Sequence, residues 1–189
     1  MKRQDQLVLI GSTLAFSWLA MQAVHEMGHV LAAAASGGRV AEVVLSPTAI
    51  STTRLAKNPH PRFVAWMGPI VGVAVPLAAL LVARGTKVRG WYVVQFFAAF
   101  CLVANGAYLA FGSFGHIGDA GDVLRHGAPL LLLWSFGVTT IPLGFWLWNG
   151  LGPHFGLGSA RGQVDCGVAY TMLAVAATII ALELSLSLL

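Results

Sequence analysis

His25, Glu26 and His29 stand in the stretch AVHEMGHVLAAAAS, residues 23–36, whose other residues are those of a membrane-spanning helix. Ionisable groups at that depth are costly in lipid and need a reason to be there. His25 and His29 are four residues apart, so on a helix they project from one face a turn apart, the spacing at which two imidazoles hold one metal ion. Glu26 then lies beside the ion rather than on it. There it can take a proton from an activated water and pass it to a leaving amine. Gly28 keeps that face slim near the metal. The alternative is a histidine pair satisfied by neighbouring helices without a metal, and three ionisable groups clustered in an apolar span weigh against it.

Two imidazoles leave a catalytic zinc short of the three protein ligands it usually takes. The acidic residues are Asp5, Glu26, Glu42, Asp119, Asp122, Asp165 and Glu183. The first and third apolar spans run in the same direction, which brings Asp119 and Asp122, just past the third, to the depth of the histidines. Glu42 can reach from the segment after the first span, whereas Asp165 falls at the opposite face. Glu183, deep in the last span, must pair with a polar group or snorkel to an interface. His116 is a further candidate, as a ligand or as a partner behind one. His60, His126 and His154 lie in Pro- or Gly-rich loops and read as solvated. Asn105, inside the third span, reads as a helix-packing amide in preference to an oxyanion donor, and Gly68, Pro69 and Gly72 as residues of close helix packing.

The elements that must position these groups follow from composition. Of 189 residues, 57% are hydrophobic and only 10% charged, with a mean hydropathy of +0.77, which is too little polar surface to cover a soluble globule. The chain reads as an all-α polytopic membrane protein of about five transmembrane helices: Leu7–Ser36, Phe63–Ala83, Trp91–Gly112, Ala128–Trp148 and Cys166–Leu189. Each run is long enough to span, and the first is too long for a cleaved signal. Residues 7–125 form the expected catalytic core and 126–189 two further helices. The net charge of +4 comes from residues in the gaps between spans, which anchors loops and excludes a nucleic-acid patch. Cys101 and Cys166 have no CxxC spacing and read as inert thiols. Between the first two spans, GGRVAEVVLSPTAISTTRL has β-branched residues on both sides of Ser46-Pro47, the pattern of a short β-hairpin within residues 38–55. Such a hairpin is either a structured surface loop or a strand edge offered to an extended peptide, with the Val44 N–H as a ladder donor if it faces the substrate. Glycine-rich backbone at residues 112–121 is expected to be irregular and to line a wet cavity.

HEMGHVLAAAASGGRV, the β-prone stretch after it, WMGPIVG at residues 66–72 and the aspartates beyond the third span together resemble the site-2 protease family of intramembrane zinc metalloproteases. The likeness covers most of residues 20–125. It implies a zinc endopeptidase of the cell membrane, with Zn2+ on His25, His29 and Asp119 and Glu26 as general base and then acid. Asp119 takes the ligand place when DAGDVL is set against the family's Asp-Gly-Gly-x-x-Leu form, although Gly118 and Ala120 depart from that pattern. The implied partner is a transmembrane protein or peptide in the lipid bilayer, and the implied orientation puts the active-site end toward the cytosol. Oligomeric state is left open. Two other functions fit the same residues. One is a metal-binding scaffold without turnover; the other is a small ion transporter, which the near absence of ionisable groups in the second and fourth spans opposes.

Overall fold

The computed structural model describes residues 3–186, and residues 187–189 of the expected last span lie outside that range. Helix α1 (Arg3–Ala35) leads into strands β1 (Arg39–Val44) and β2 (Thr52–Lys57), then α2 (Pro61–Gly85), α3 (Trp91–Gly115), the short α4 (Gly118–Arg125), α5 (Leu130–Trp148) and α6 (Cys166–Leu186). Among the described residues, α1, α2, α3, α5 and α6 are long and apolar enough to cross a membrane. The expected class, helical with a hairpin after the first span, is therefore the observed one. At 1.5 Å per residue the 33 residues of α1 extend for about 50 Å, well beyond a hydrocarbon core of ~30 Å.

Helix α3 lies at the centre, packed against α5 on one side and α2 on the other, while α1 packs between α2 and α6. Its core side chains Ala98, Ala99, Leu102 and Leu109 are buried. The faces turned away from the bundle carry Val138, Leu131, Trp146 and Leu81, all exposed, as lipid-facing helices require. At the end remote from the histidines, Gln95 accepts from Arg84 of α2 and donates to the Leu147 carbonyl of α5 at 2.6 Å. Those bonds clasp three helices through one buried amide. At the same end Arg89 forks onto Asp165 at 2.7 and 2.8 Å, and that hydrogen-bonded pair holds the Asp165 carboxyl below its ordinary range. Asp165 is thus at the opposite face, as its position in the chain requires.

The hairpin is antiparallel, with Val44 opposite Thr52, Val43 opposite Thr53 and Glu42 opposite Arg54. Irregular register near Val40 marks a bulge at its open end. Three bonds dock it on α1: Ser51 N–H donates to Gln22 Oε1 at 2.7 Å, Trp18 Nε1 to the Pro47 carbonyl at 3.3 Å, and the Thr53 hydroxyl to Glu26 Oε2 at 2.6 Å. Beyond α3 the backbone is more regular than expected, because helix continues to Gly115 and resumes at Gly118. The break lies at His116, left-handed at φ 53°, Ile117, extended at φ −96°, and Gly118, left-handed again at φ +53°.

Candidate metal centre

His25, Glu26 and His29 lie on the inner face of α1, all buried. One ligand atom from each falls within 4.8 Å of the others, a grouping able to hold a metal ion. Helix α4 brings the fourth group. Asp119 Oδ2 is 2.8 Å from His25 Nε2 and 3.3 Å from His29 Nε2. The turn at residues 116–117 is what folds α4 back beneath the histidines. Gly118 (φ +53°) has no room for a side chain there, because a Cβ would overlap the Tyr108 hydroxyl.

The far nitrogen of each imidazole decides what the near one offers. His29 Nδ1 is 2.8 Å from the carbonyl of Val64. A carbonyl only accepts, so Nδ1 carries the proton and Nε2 presents a lone pair. His25 Nδ1 meets Asn105 Oδ1 at 2.7 Å, and the orientation of that amide is set by its Nδ2, which donates to the Cys101 carbonyl at 2.9 Å. His25 Nε2 therefore also presents a lone pair. Two lone pairs and a carboxylate oxygen converge on one point, an arrangement that only an added proton or a cation satisfies. In a small tetrahedral metal site, bonds of ~2.0–2.1 Å set ligand atoms about 3.3 Å apart, the His29–Asp119 separation, whereas the His25–Asp119 pair at 2.8 Å is at hydrogen-bond distance and would have to open to that spacing. Burial raises the Asp119 pKa, but when the added proton sits on the imidazoles their hydrogen bonds to the carboxylate outweigh burial and lower it to about 2.

Room at this point comes from α2. A Cβ on Gly68 would overlap the His29 ring and come within 2.7 Å of His25 Nε2. A Cβ on Gly28 would strike the Met67 carbonyl and lie 2.9 Å from Gly68 Cα. Gly28 thus lets α1 and α2 touch, as its slim face implied. Gly72 serves packing, since its Cβ would lie 2.8 Å from Asn105 Oδ1. Gly68 does more than the packing role read from sequence, because it leaves the space in which the imidazole nitrogens meet Asp119.

Other candidates fall elsewhere. Asp122 pairs with Arg125 and lines the same cavity without joining the histidines. Glu42 bonds Arg54 at 3.1 Å on the hairpin surface. His116 is exposed at the α3–α4 turn. Glu183 is buried, and among the described residues its Oε2 has no hydrogen-bond partner, so neither pairing nor snorkelling describes that oxygen within them. Of the three histidines read as solvated, all are exposed, but His154 also stacks on Tyr92 at 4.8 Å and His126 lines the cavity mouth. Asn105 requires a correction: its amide bonds a histidine of the site and is not only a packing group.

The centre opens into a cavity of about 580 Å³ reaching from Trp18 on α1 to His126. Its hairpin wall is Ile50–Thr53, Leu55 and Asn58, belonging to the turn, β2 and the residue just beyond, with no residue of β1. Val44, on β1, does not line this cavity. Thr53 of β2 donates to Glu26 Oε2 at 2.6 Å, fixing the carboxylate at the edge of the centre. Sequence reasoning missed Thr53 and Tyr108. Tyr108 lies three residues after Asn105 on α3, a spacing that shares a face and was a readable signal, while nothing in the sequence marked Thr53. Comparison with protein-family models, curated proteins and solved structures found no match, and the chemistry of the site rests on its own geometry.

Proposed function

We propose that this chain is an intramembrane zinc metalloprotease that hydrolyses peptide bonds in or near transmembrane segments. The observation that carries the reading is the convergence of His25 Nε2, His29 Nε2 and Asp119 Oδ2, with Glu26 alongside, at one wall of a large cavity inside a bundle of apolar helices. Two nitrogens and one carboxylate oxygen are the donor set of a hydrolytic zinc with a position left for water. When bound, the ion supplies a Lewis acid that acidifies water and polarises a carbonyl.

The protein's own groups do the rest. Asn105 and the Val64 carbonyl hold the two rings in the tautomer that aims Nε2 inward. Glu26 takes a proton from water and returns it to the amine as the peptide C–N bond breaks. Thr53 fixes that carboxylate by donating to one oxygen, which leaves the other for the proton. The hairpin wall holds the peptide extended, since a helical segment keeps its carbonyls locked in i to i+4 bonds. Five helices long and apolar enough to span support placing the enzyme in the cell membrane.

The test is metal analysis together with cleavage of a transmembrane substrate in reconstituted membranes. His25→Ala, His29→Ala and Asp119→Ala should each lose zinc, Asp122→Ala should keep it, and Glu26→Gln should keep zinc while cleavage is abolished. Full zinc occupancy in the histidine variants, or undiminished cleavage by Glu26→Gln, would overturn the reading.

A further inference from the structure

Tyr108 stands against the metal centre with half of its hydrogen-bonding capacity unused. Its ring packs edge-on against His25, centroids 5.9 Å apart, and its side chain lines the cavity. The phenol oxygen accepts from the backbone N–H of Asp119 at 3.4 Å. A phenol has one proton to give besides the lone pairs it offers, and among the described residues this proton has no protein acceptor.

Among the other polar groups around the cavity, Gln22 Nε2 is also without a partner among the described residues, but it is not packed on a candidate ligand, and the groups nearest the centre are committed. Thr53 donates to Glu26, Trp18 to the Pro47 carbonyl, and Asn105 is held between His25 and the Cys101 carbonyl. Tyr108 is the neutral donor packed directly on a candidate ligand. The geometry points to Tyr108 as a catalytic residue that donates its hydroxyl proton in a hydrogen bond to the substrate carbonyl oxygen as negative charge develops there.

This rests on the protease reading. As the oxygen of water bonds to the carbonyl carbon, Glu26 takes one of its protons and the C=O π pair moves onto the carbonyl oxygen. That charge is what Tyr108 meets. When the C–N bond breaks, the pair returns to re-form the carbonyl, and the amine leaves with the proton from Glu26. A donor aimed at the charged oxygen but not needed by the ground-state carbonyl acts on kcat rather than on binding. The Asp119 N–H contact gives the same phenol a second task, seating it against the start of α4.

The experiment compares wild type and Tyr108→Phe, full-length and zinc-loaded in lipid vesicles, by zinc content, by kcat and KM on a transmembrane peptide, and by Kd for a phosphinic peptide whose tetrahedral oxygens mimic the charged carbonyl. The expected result is zinc retained, KM within about twofold, kcat lowered ~100-fold or more, and phosphinic peptide bound more weakly by a similar factor. Unchanged kcat, or a loss of kcat matched by loss of zinc, overturns the assignment; the latter would make Tyr108 only a support for Asp119. If Tyr108→Phe does not fold, the wild-type protein decides. Its tyrosines are three, so with ¹³Cζ label and Tyr92→Phe and Tyr170→Phe for assignment, the Tyr108 resonance should shift when the phosphinic peptide binds, and an unmoved resonance sinks the proposal. A wild type that binds zinc but cleaves nothing overturns the protease reading by itself, while the phosphinic peptide still reports whether Tyr108 donates to a charged oxygen.

Discussion

The Asn105 amide is 1% exposed, and its two ends have different jobs: Nδ2 is anchored to its own helix, and Oδ1 takes the His25 proton. Removing it leaves the His25 ring free to turn and to exchange tautomers, with an unsatisfied N–H in a buried place. Asn105→Ala should therefore weaken zinc binding by roughly 10–100-fold without abolishing it, measured by competition with a chelator. Asn105→Asp, which keeps the acceptor, should restore most of that affinity. Affinity unchanged in Asn105→Ala would mean that packing alone holds the ring. Thr53 provides a contrasting case, because its hydroxyl touches Glu26 and no ligand. Thr53→Val keeps the shape of the side chain and should lower kcat while zinc content stays at one per chain. Loss of zinc in Thr53→Val would show that the hairpin supports the ligands rather than the base.

Among elements, α2 carries no ionisable group into the centre, yet its placement is what makes the centre possible. Gly28 and Gly68 let the α1 and α2 backbones approach until only glycine fits between Met67 and the two imidazoles. Gly68→Ala should displace at least one ring, because the added methyl lands on the His29 side chain and that ring is pinned by the Val64 carbonyl. The expected outcome is loss of stoichiometric zinc with the helical content retained, checked by metal analysis and circular dichroism; full occupancy would show that the helices can part without cost. Gly72→Ala, which instead presses on the Asn105 amide, should have the milder effect of Asn105→Ala. The hairpin is the other element with a function of its own, since the strand that lines the cavity is also the one that touches Glu26.

At the scale of the whole molecule, the cavity of about 580 Å³ lies between apolar helices and the hairpin, and a peptide bond within a helix has its carbonyl locked in an i to i+4 hydrogen bond. On the protease reading, a transmembrane substrate must unwind locally, exposing backbone groups at several kcal/mol each unless the β2 wall pairs with them. Segments with Gly, Pro or Asn near the cleavage point should be cut faster than leucine-rich versions, in the reconstituted system, and equal rates would rule out unwinding as the selective step. Much of this architecture is legible in the residues alone. Runs of apolar side chains long enough for a bilayer, and histidines four apart on one of them, are local properties, so the spans, the hairpin and the His25, Glu26, His29 face follow from spacing and hydropathy. Choosing between Asp119 and Asp122 is not local. It depends on a left-handed residue at His116 that turns α4 back under α1, which brings Asp119 to the imidazoles and leaves Asp122 to Arg125. The tasks of Asn105, Gly68, Thr53 and Tyr108 depend likewise on which helix faces meet across the bundle, and contacts between residues tens of positions apart are decided only when the tertiary packing closes.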